Sequence, residues 1–182
     1  MLPTSRQLLL DHGAIGRTLH QMAHDIRSQT PDPANLVLIG IQRRGVELAA
    51  RLARILGEGG SEVPRGALDI TLYRDDLELA GARPIVGPTH LPVDLTGRHA
   101  WIVDDVLFTG RTVRAALDEL ADFGRPERIG LAVLVDRGGR ELPIQADVVG
   151  LKVPATAGDR VAVSVTELDG RDAVELIPAG AP

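Results

Sequence analysis

The chain has 182 residues, 44% of them apolar, enough for one well-packed core, and it reads as a single globular domain over residues 1–182. Lys and Arg number 20 against 25 Asp and Glu, a formal charge of −5, which excludes a uniformly basic nucleic-acid coat but not a local basic face. There is no cysteine, which excludes disulfide scaffolds, Cys-ligated zinc, iron–sulfur clusters and thiol nucleophiles.

In chain order, Leu19, Met22, Ala23 and Ile26 fall at helical spacing and predict a helix over Arg17 to Ile26, stopped by Asp32 and Pro33. Asn35 to Ile41 is a continuous apolar run of strand length, expected to be buried on both faces. Gly45 to Leu56 carries a wide apolar helical face and ends at Gly57, Gly59 and Gly60. Ala67 to Tyr73 reads as a strand. Arg74 to Asp94 is polar and interrupted by prolines, long for a loop in a compact domain, so it is either functional or holds a short hairpin. Ala100 to Val103 predicts a buried strand ending at Asp104, and Arg111 to Phe123 a helix closed by Gly124. Ile129 to Val135 is a further buried strand. Asp147 to Gly150, Val161 to Val165 and the tail read as shorter ones. Buried strands alternating with amphipathic helices define an α/β fold with a mostly parallel central sheet flanked by helices. Ligands of such sheets bind beyond the carboxyl ends of the strands, which directs attention to the residues after Ile41, Tyr73, Val103 and Val135.

Lys152 is the only lysine, and the abundance of Arg, Ala, Gly and Leu fits coding bias from a GC-rich genome, so any single Arg weighs less as a phosphate ligand. The four aromatic residues (Tyr73, Trp101, Phe108, Phe123) are too few for a base-stacking platform. No run approaches the ~18 apolar residues that span a bilayer. The N-terminus lacks a charged region followed by an apolar one, so a cytoplasmic protein without membrane contact is expected.

The strongest chemical signal is the run from Val103 to Thr112. A buried strand ends in Asp104 and Asp105, and a short loop then enters a helix through Thr109-Gly110-Arg111-Thr112. The helix N-terminus offers unpaired backbone N–H groups, Gly110 admits a ligand close to the backbone, and Thr109 and Thr112 add hydroxyls; this end suits a phosphate monoester. Carboxylates repel phosphate, so Asp104 and Asp105 should face sugar hydroxyls or a hydrated Mg²⁺. Phosphate at one end and a diol at the other describes a ribose 5-phosphate. The plainer alternative is an acidic pair capping a helix. No G-x-x-x-x-G-K-[ST] is present, and no G-x-G-x-x-G follows a strand.

This segment resembles the phosphoribosyl pyrophosphate (PRPP) motif of type I phosphoribosyltransferases. Three more blocks make the resemblance narrower: Ile39 to Gly45 (I-G-I-Q-R-R-G), Asp69 to Leu77 (D-I-T-L-Y-R-D-D-L) and Leu134 to Ile144 (L-V-D-R-G-G-R-E-L-P-I). Together they are similar to the PyrR family, pyrimidine-operon attenuators that are also uracil phosphoribosyltransferases. The likeness runs from about Arg17 to the tail. It implies the type I phosphoribosyltransferase fold with a flexible flap and a small hood, and conversion of uracil and PRPP to UMP and pyrophosphate with Mg²⁺. It assigns Asp104 and Asp105 to the ribose diol and possible metal ligation, and Val106, Leu107, Phe108, Thr109, Gly110, Arg111 and Thr112 to the 5′-phosphate. Arg43 and Arg44 fall on the pyrophosphate loop, Arg74 on the flap over PRPP, and Arg137 and Val161 at the nucleotide base. The family commonly has Lys or His and then Thr where this chain has Gln42 and Arg43. A phosphoribosyltransferase for a different base, without an RNA role, is the alternative.

The resemblance also implies binding to pyrimidine-operon leader mRNA and a homodimer or higher homo-oligomer. The implied RNA face would use Arg17, His20, His24, Arg140 and Lys152. At Gln21, Gly139, Gln145 and Leu151 this chain lacks the basic residues common in the family. His20 and His24 stand four apart on the first helix, but Gln21 stands where a zinc protease would need Glu, and no third ligand is apparent. A solvated face or one contacting RNA or a subunit is the better reading.

Overall fold

A computed structural model of the chain describes residues 5–60, 62–70 and 89–180. The elements are β1 (Gln7–Leu10), α1 (His12–Ser28), β2 (Leu36–Ile41), α2 (Arg44–Gly57), β3 (Arg65–Leu68), β4 (His99–Leu107), α3 (Arg111–Leu120), β5 (Arg128–Asp136), β6 (Val148–Lys152), β7 (Arg160–Ser164), α4 (Thr166–Asp169) and β8 (Ala173–Ile177).

The continuous apolar runs form the middle of a five-stranded parallel sheet ordered β3-β2-β4-β5-β6. Alternation of side chains sorts each run between two cores. Leu36, Leu38, Trp101, Val103, Ala132 and Leu134 pack with α1 and α2. Val37, Ile39, Ile41, Ala100, Ile102, Leu131 and Val133 pack with Val113, Ala116 and Leu120 of α3. Helices on both faces explain why these strands show no polar alternation. The order also fixes where a ligand can sit. The chain moves outward from β2 to β3 and then crosses back to β4 on the other side of β2. The loops after β2 and β4 therefore diverge and leave a crevice at the carboxyl edge.

A smaller antiparallel sheet, β1-β8-β7, forms the hood. It joins the α1/α2 core through Val161, Val163, Val165 and Val174. It is also tied to α2 by charge. Arg44 makes two bonds to Asp169, at 2.8 and 3.2 Å. Arg51 forks onto Glu167, at 2.6 and 2.9 Å, and onto Asp172, at 2.8 Å from each terminal nitrogen.

Several boundaries differ from the sequence reading. The first helix starts earlier, at His12, because the Asp11 side chain caps it by accepting the Ala14 N–H at 2.8 Å. The strand expected to end at Asp104 runs to Leu107, since in-register pairing with β5 continues through Val106↔Val135 and Leu107↔Asp136. The helix expected to reach Phe123 is α-helical only to Leu120 and closes with a 3-10 turn over Ala121–Phe123. The strand read as Ala67 to Tyr73 spans Arg65–Leu68, and Thr71 to Tyr73 lie outside the described residues, as do Arg74 and the flap as far as residue 88. On either side of that stretch, Ala67 and His90 exchange two backbone hydrogen bonds of 2.8 Å, as across an antiparallel pair. The hood strand β1 was not anticipated. Among the described residues no helix is long and apolar enough to cross a membrane.

Candidate active site

Two glycines bring the first loop to the crevice. A Cβ on Gly40 would lie 2.4 Å from the Val46 Cα, and one on Gly45 would lie 2.4 Å from the Val103 carbonyl oxygen. Their absence lets the start of α2 rest directly against β2 and β4. The turn between them is Gln42-Arg43, and α2 begins without a side-chain cap, so its first N–H groups face the crevice. Arg43 is exposed there, whereas Arg44 is half-buried and held by Asp169. That bond raises the Arg44 pKa against the opposing effect of burial, with further support from Asp105. Arg44 thus stands between Asp105 and the hood.

The second loop leaves the end of β4. Asp104 is buried and Asp105 half-buried. Asp104 Oδ1 accepts the Asp105 N–H at 2.9 Å, and Asp105 Oδ1 accepts the Val106 N–H at 2.8 Å. The burial pattern changes phase across this pair: Trp101 and Val103 share a core with Val106, while Ala100 and Ile102 share the other with Leu107. Gly110 then takes φ +92°, a left-handed conformation costly for any other residue, and opens α3 without a side-chain cap. Thr109 and Thr112 are half-buried beside it, and Phe108 is exposed. The Thr109 hydroxyl oxygen accepts the Arg111 N–H at 3.3 Å, and Arg111 Nε donates to Glu141 at 2.8 Å.

The third loop, after β5, braces the second. Arg137 N–H donates to the Leu107 carbonyl at 3.1 Å, and the N–H groups of Glu141 and Leu142 both reach the Thr109 carbonyl, at 3.0 and 3.1 Å. Arg140 is drawn inward. It donates to the carbonyls of Phe108 (2.9 Å) and Ile144 (2.8 Å) and pairs with Asp136 at 2.7 Å. Burial pushes the Asp136 carboxyl up, but Arg140, the Gly138 N–H and Gln145 together hold it below the usual carboxylate range. The Arg137 guanidinium lies 3.9 Å over the Phe108 ring, and its buried Nε has no partner among the described residues. A buried donor without a partner is costly, which makes this nitrogen a candidate to meet a ligand acceptor.

Not every predicted residue converges on this crevice. Val161 lies on β7 with its side chain in the core, so any contact it makes with a base would be through its backbone. Arg17, His20 and His24 occupy the exposed side of α1, where His20 Nδ1 stands 2.9 Å from the Gly16 carbonyl oxygen. Lys152 is exposed at the end of β6, which packs beside α1. Arg140 is instead engaged by Asp136 and by the carbonyls of Phe108 and Ile144. Sequence reasoning missed Asp136, Glu141 and the hood carboxylates Glu167, Asp169 and Asp172. Its one usable signal was Arg44 and Arg51, seven apart on one helix and therefore on one side.

Two carboxylates and a left-handed glycine turn at a switch point, beside a hood, fit one class: a type I phosphoribosyltransferase. Residues 5–169 match the phosphoribosyl transferase domain family. The fold resembles the 1.4 Å crystal structure of the hypoxanthine phosphoribosyltransferase of Trypanosoma cruzi, with TM-score 0.70 over 97% of this chain and 98% of that one, at 19% identity. Sequence similarity is narrower. Bifunctional protein PyrR of Thermus aquaticus is 55% identical over 92% of this chain and 93% of its own length. Its counterpart in Chloroflexus aurantiacus is 52% identical over 95% and 96%. The chain belongs to the PyrR family.

Proposed function

We propose that the chain transfers phosphoribose from PRPP to uracil, giving UMP and pyrophosphate, and that with a uridine nucleotide bound it recognises pyrimidine-operon leader mRNA. The observation that carries the catalytic reading is the pairing of Asp104 and Asp105 with the Gly110 turn, across the crevice from the Gln42–Arg43 loop. The uracil N1 attacks C1′ of PRPP as the bond from C1′ to the pyrophosphate oxygen breaks; pyrophosphate leaves with the electron pair and takes up the proton that N1 gives up. The ribosyl centre becomes cationic in between, so no protein nucleophile is required. The residues bind, orient and exclude water.

Residues Val106 to Thr112 receive the 5′-phosphate on backbone N–H groups and hydroxyls. Asp104 and Asp105 accept the ribose hydroxyls and lend negative field to the cationic sugar. Arg43 meets the pyrophosphate directly, and Arg44 reaches it by exchanging the Asp169 carboxylate for a phosphate oxygen. Arg74 is assigned to the same anion, and Arg137 to the nucleotide base. The donor set fits Mg²⁺, which binds through one or two carboxylates plus substrate oxygens, and Asp104 and Asp105 are hard oxygen donors. When bound there, the ion neutralises charge on the departing pyrophosphate.

The test is a steady-state assay with PRPP and a panel of bases. UMP formation should far outpace reaction with hypoxanthine, adenine or orotate. Equal or better turnover of a purine would overturn the uracil assignment and leave the fold class intact.

For RNA, the pairing of Arg140 with Asp136 leaves Arg17 and Lys152 as the exposed permanent cations among the residues assigned to that face. Two phosphate contacts give a slope of log K against log salt of about −1.4 to −1.8. Leader RNA binding is therefore expected to be weak, with that shallow slope, and to strengthen with UMP, since a nucleotide that alters RNA affinity must favour the RNA-competent state. Filter-binding titrations at two salt concentrations, with and without UMP, measure both. No specific binding at low salt with UMP present would leave the chain an enzyme alone.

A further inference from the structure

Helix α3 starts at the phosphate turn and turns its inner side to the second core with Val113, Ala115, Ala116 and Leu120. Glu119 sits on that same side at 5% exposure. A carboxyl group is costly there unless it is used. One of its oxygens, Oε1, is hydrogen-bonded to the Thr89 hydroxyl. The other, Oε2, is buried without a partner among the described residues. The Thr89 oxygen also accepts the Asp69 backbone N–H at 3.1 Å. With its acceptor side engaged by that amide, Thr89 directs its single hydroxyl proton to Glu119. The relay runs from the Asp69 N–H to the Thr89 hydroxyl and on to the Glu119 carboxyl. It is buried or half-buried throughout. Burial, together with the nearby carboxylates of Asp69 and Asp122, pushes the Glu119 carboxyl up, and the Thr89 bond partly opposes this.

The position of this relay gives it meaning. Asp69 follows β3 and Thr89 precedes the residue that pairs with Ala67. Glu119 thus ties two chain segments, coming from opposite directions, to the far end of the helix whose first turn is the phosphate loop. We propose that Glu119, acting through Thr89 and the Asp69 amide, is a positioning residue for PRPP: it registers the segments around Asp69 and Thr89 against the phosphate-binding helix. This rests on the phosphoribosyltransferase reading above, because the helix that Glu119 anchors begins at the Gly110 turn assigned to the 5′-phosphate of PRPP.

Three variants test it: Thr89→Val, which keeps shape and removes the hydroxyl, Glu119→Ala, and Glu119→Gln, which keeps an acceptor oxygen for Thr89. Losing one such hydrogen bond corresponds to about a three- to tenfold change. Thr89→Val and Glu119→Ala are expected to raise the KM for PRPP by that factor, with kcat and the KM for uracil within about twofold. Glu119→Gln should restore most of the difference. Hydrogen exchange at the Asp69 amide should quicken in Thr89→Val. An unchanged KM for PRPP in Thr89→Val and Glu119→Ala, even with an earlier thermal transition, would reduce Glu119 to a packing element and overturn the proposal. Calorimetric titration of PRPP separates the two readings. If the unsubstituted chain makes no UMP yet binds PRPP, and Thr89→Val weakens that binding, the uracil assignment fails and the positioning role stands. If Thr89→Val binds PRPP as the unsubstituted chain does, the positioning role fails whatever the base.

Discussion

Replacing Arg51 with Met is expected to cost about 3–5 kcal/mol of folding stability, because it strands a buried carboxylate. The Asp172 side chain is 2% exposed. It accepts both terminal nitrogens of Arg51 at 2.8 Å, the Thr166 N–H at 2.7 Å and the Thr166 hydroxyl at 2.8 Å, with His12 Nδ1 at 2.9 Å. Without Arg51 the charge keeps its dipoles and loses its counter-charge. In a chain of this size the loss lowers the melting temperature by about 6–20 °C. Removing both partners together, as Arg51→Met with Asp172→Leu, should recover much of it, since an apolar pair of similar volume is often neutral against a buried ion pair. Acid tests the same contact. The Arg51 bonds hold Asp172 far below the usual carboxylate range, and they hold Glu167 below it as well. A depressed folded pKa contributes stability that is present above the unfolded value, about 4, and is lost as pH falls through the folded one. Below about pH 4 the wild-type chain should therefore lose stability more steeply than Asp172→Asn. Thermal unfolding across pH measures both effects. A single Arg51→Met variant melting within about 2 °C of wild type would show that the clamp contributes little.

The largest expected loss of activity is at the aspartate pair. Asp104→Asn and Asp105→Asn are each expected to lower kcat/KM by about one to two decades, the loss of a charge-assisted contact worth about 1.5–3 kcal/mol. Folding should survive. In each variant an amide oxygen can still accept the backbone N–H now held by Oδ1, at 2.9 Å for Asp104 and 2.8 Å for Asp105. The buried Asp104 has less room to adjust than the half-buried Asp105, and its variant should show the larger shift in melting temperature. Full activity in both variants with much earlier melting would make the pair a structural cap, the plainer reading of the motif.

Much of this site is written in contiguous sequence. Val103 to Thr112 supplies strand, carboxylates, left-handed glycine and helix start in one window, so local rules place them together. The Gln42–Gly45 loop is equally local: a buried strand, a turn and an amphipathic helix follow one another without a gap. Arg140 shows the limit of that reasoning. The resemblance implies a place for it on an RNA face, while its partners include the Phe108 carbonyl, 32 positions away, in the turn after β4, which no local pattern could supply.

What the sequence by itself determined was the class of fold, the buried strands with their flanking helices, and the chemistry of each loop, because these depend on periodicity and on neighbours within a few residues. Only the tertiary structure decided that Arg51 meets Asp172 across 121 positions, that Arg44 is held by the hood, and that Glu119, Thr89 and Asp69 form one relay. Strand order and the docking of the hood bring those side chains within bonding distance, and neither leaves a trace in local patterning. A buried charge looks the same in sequence as a solvated one until its partner arrives from elsewhere in the chain.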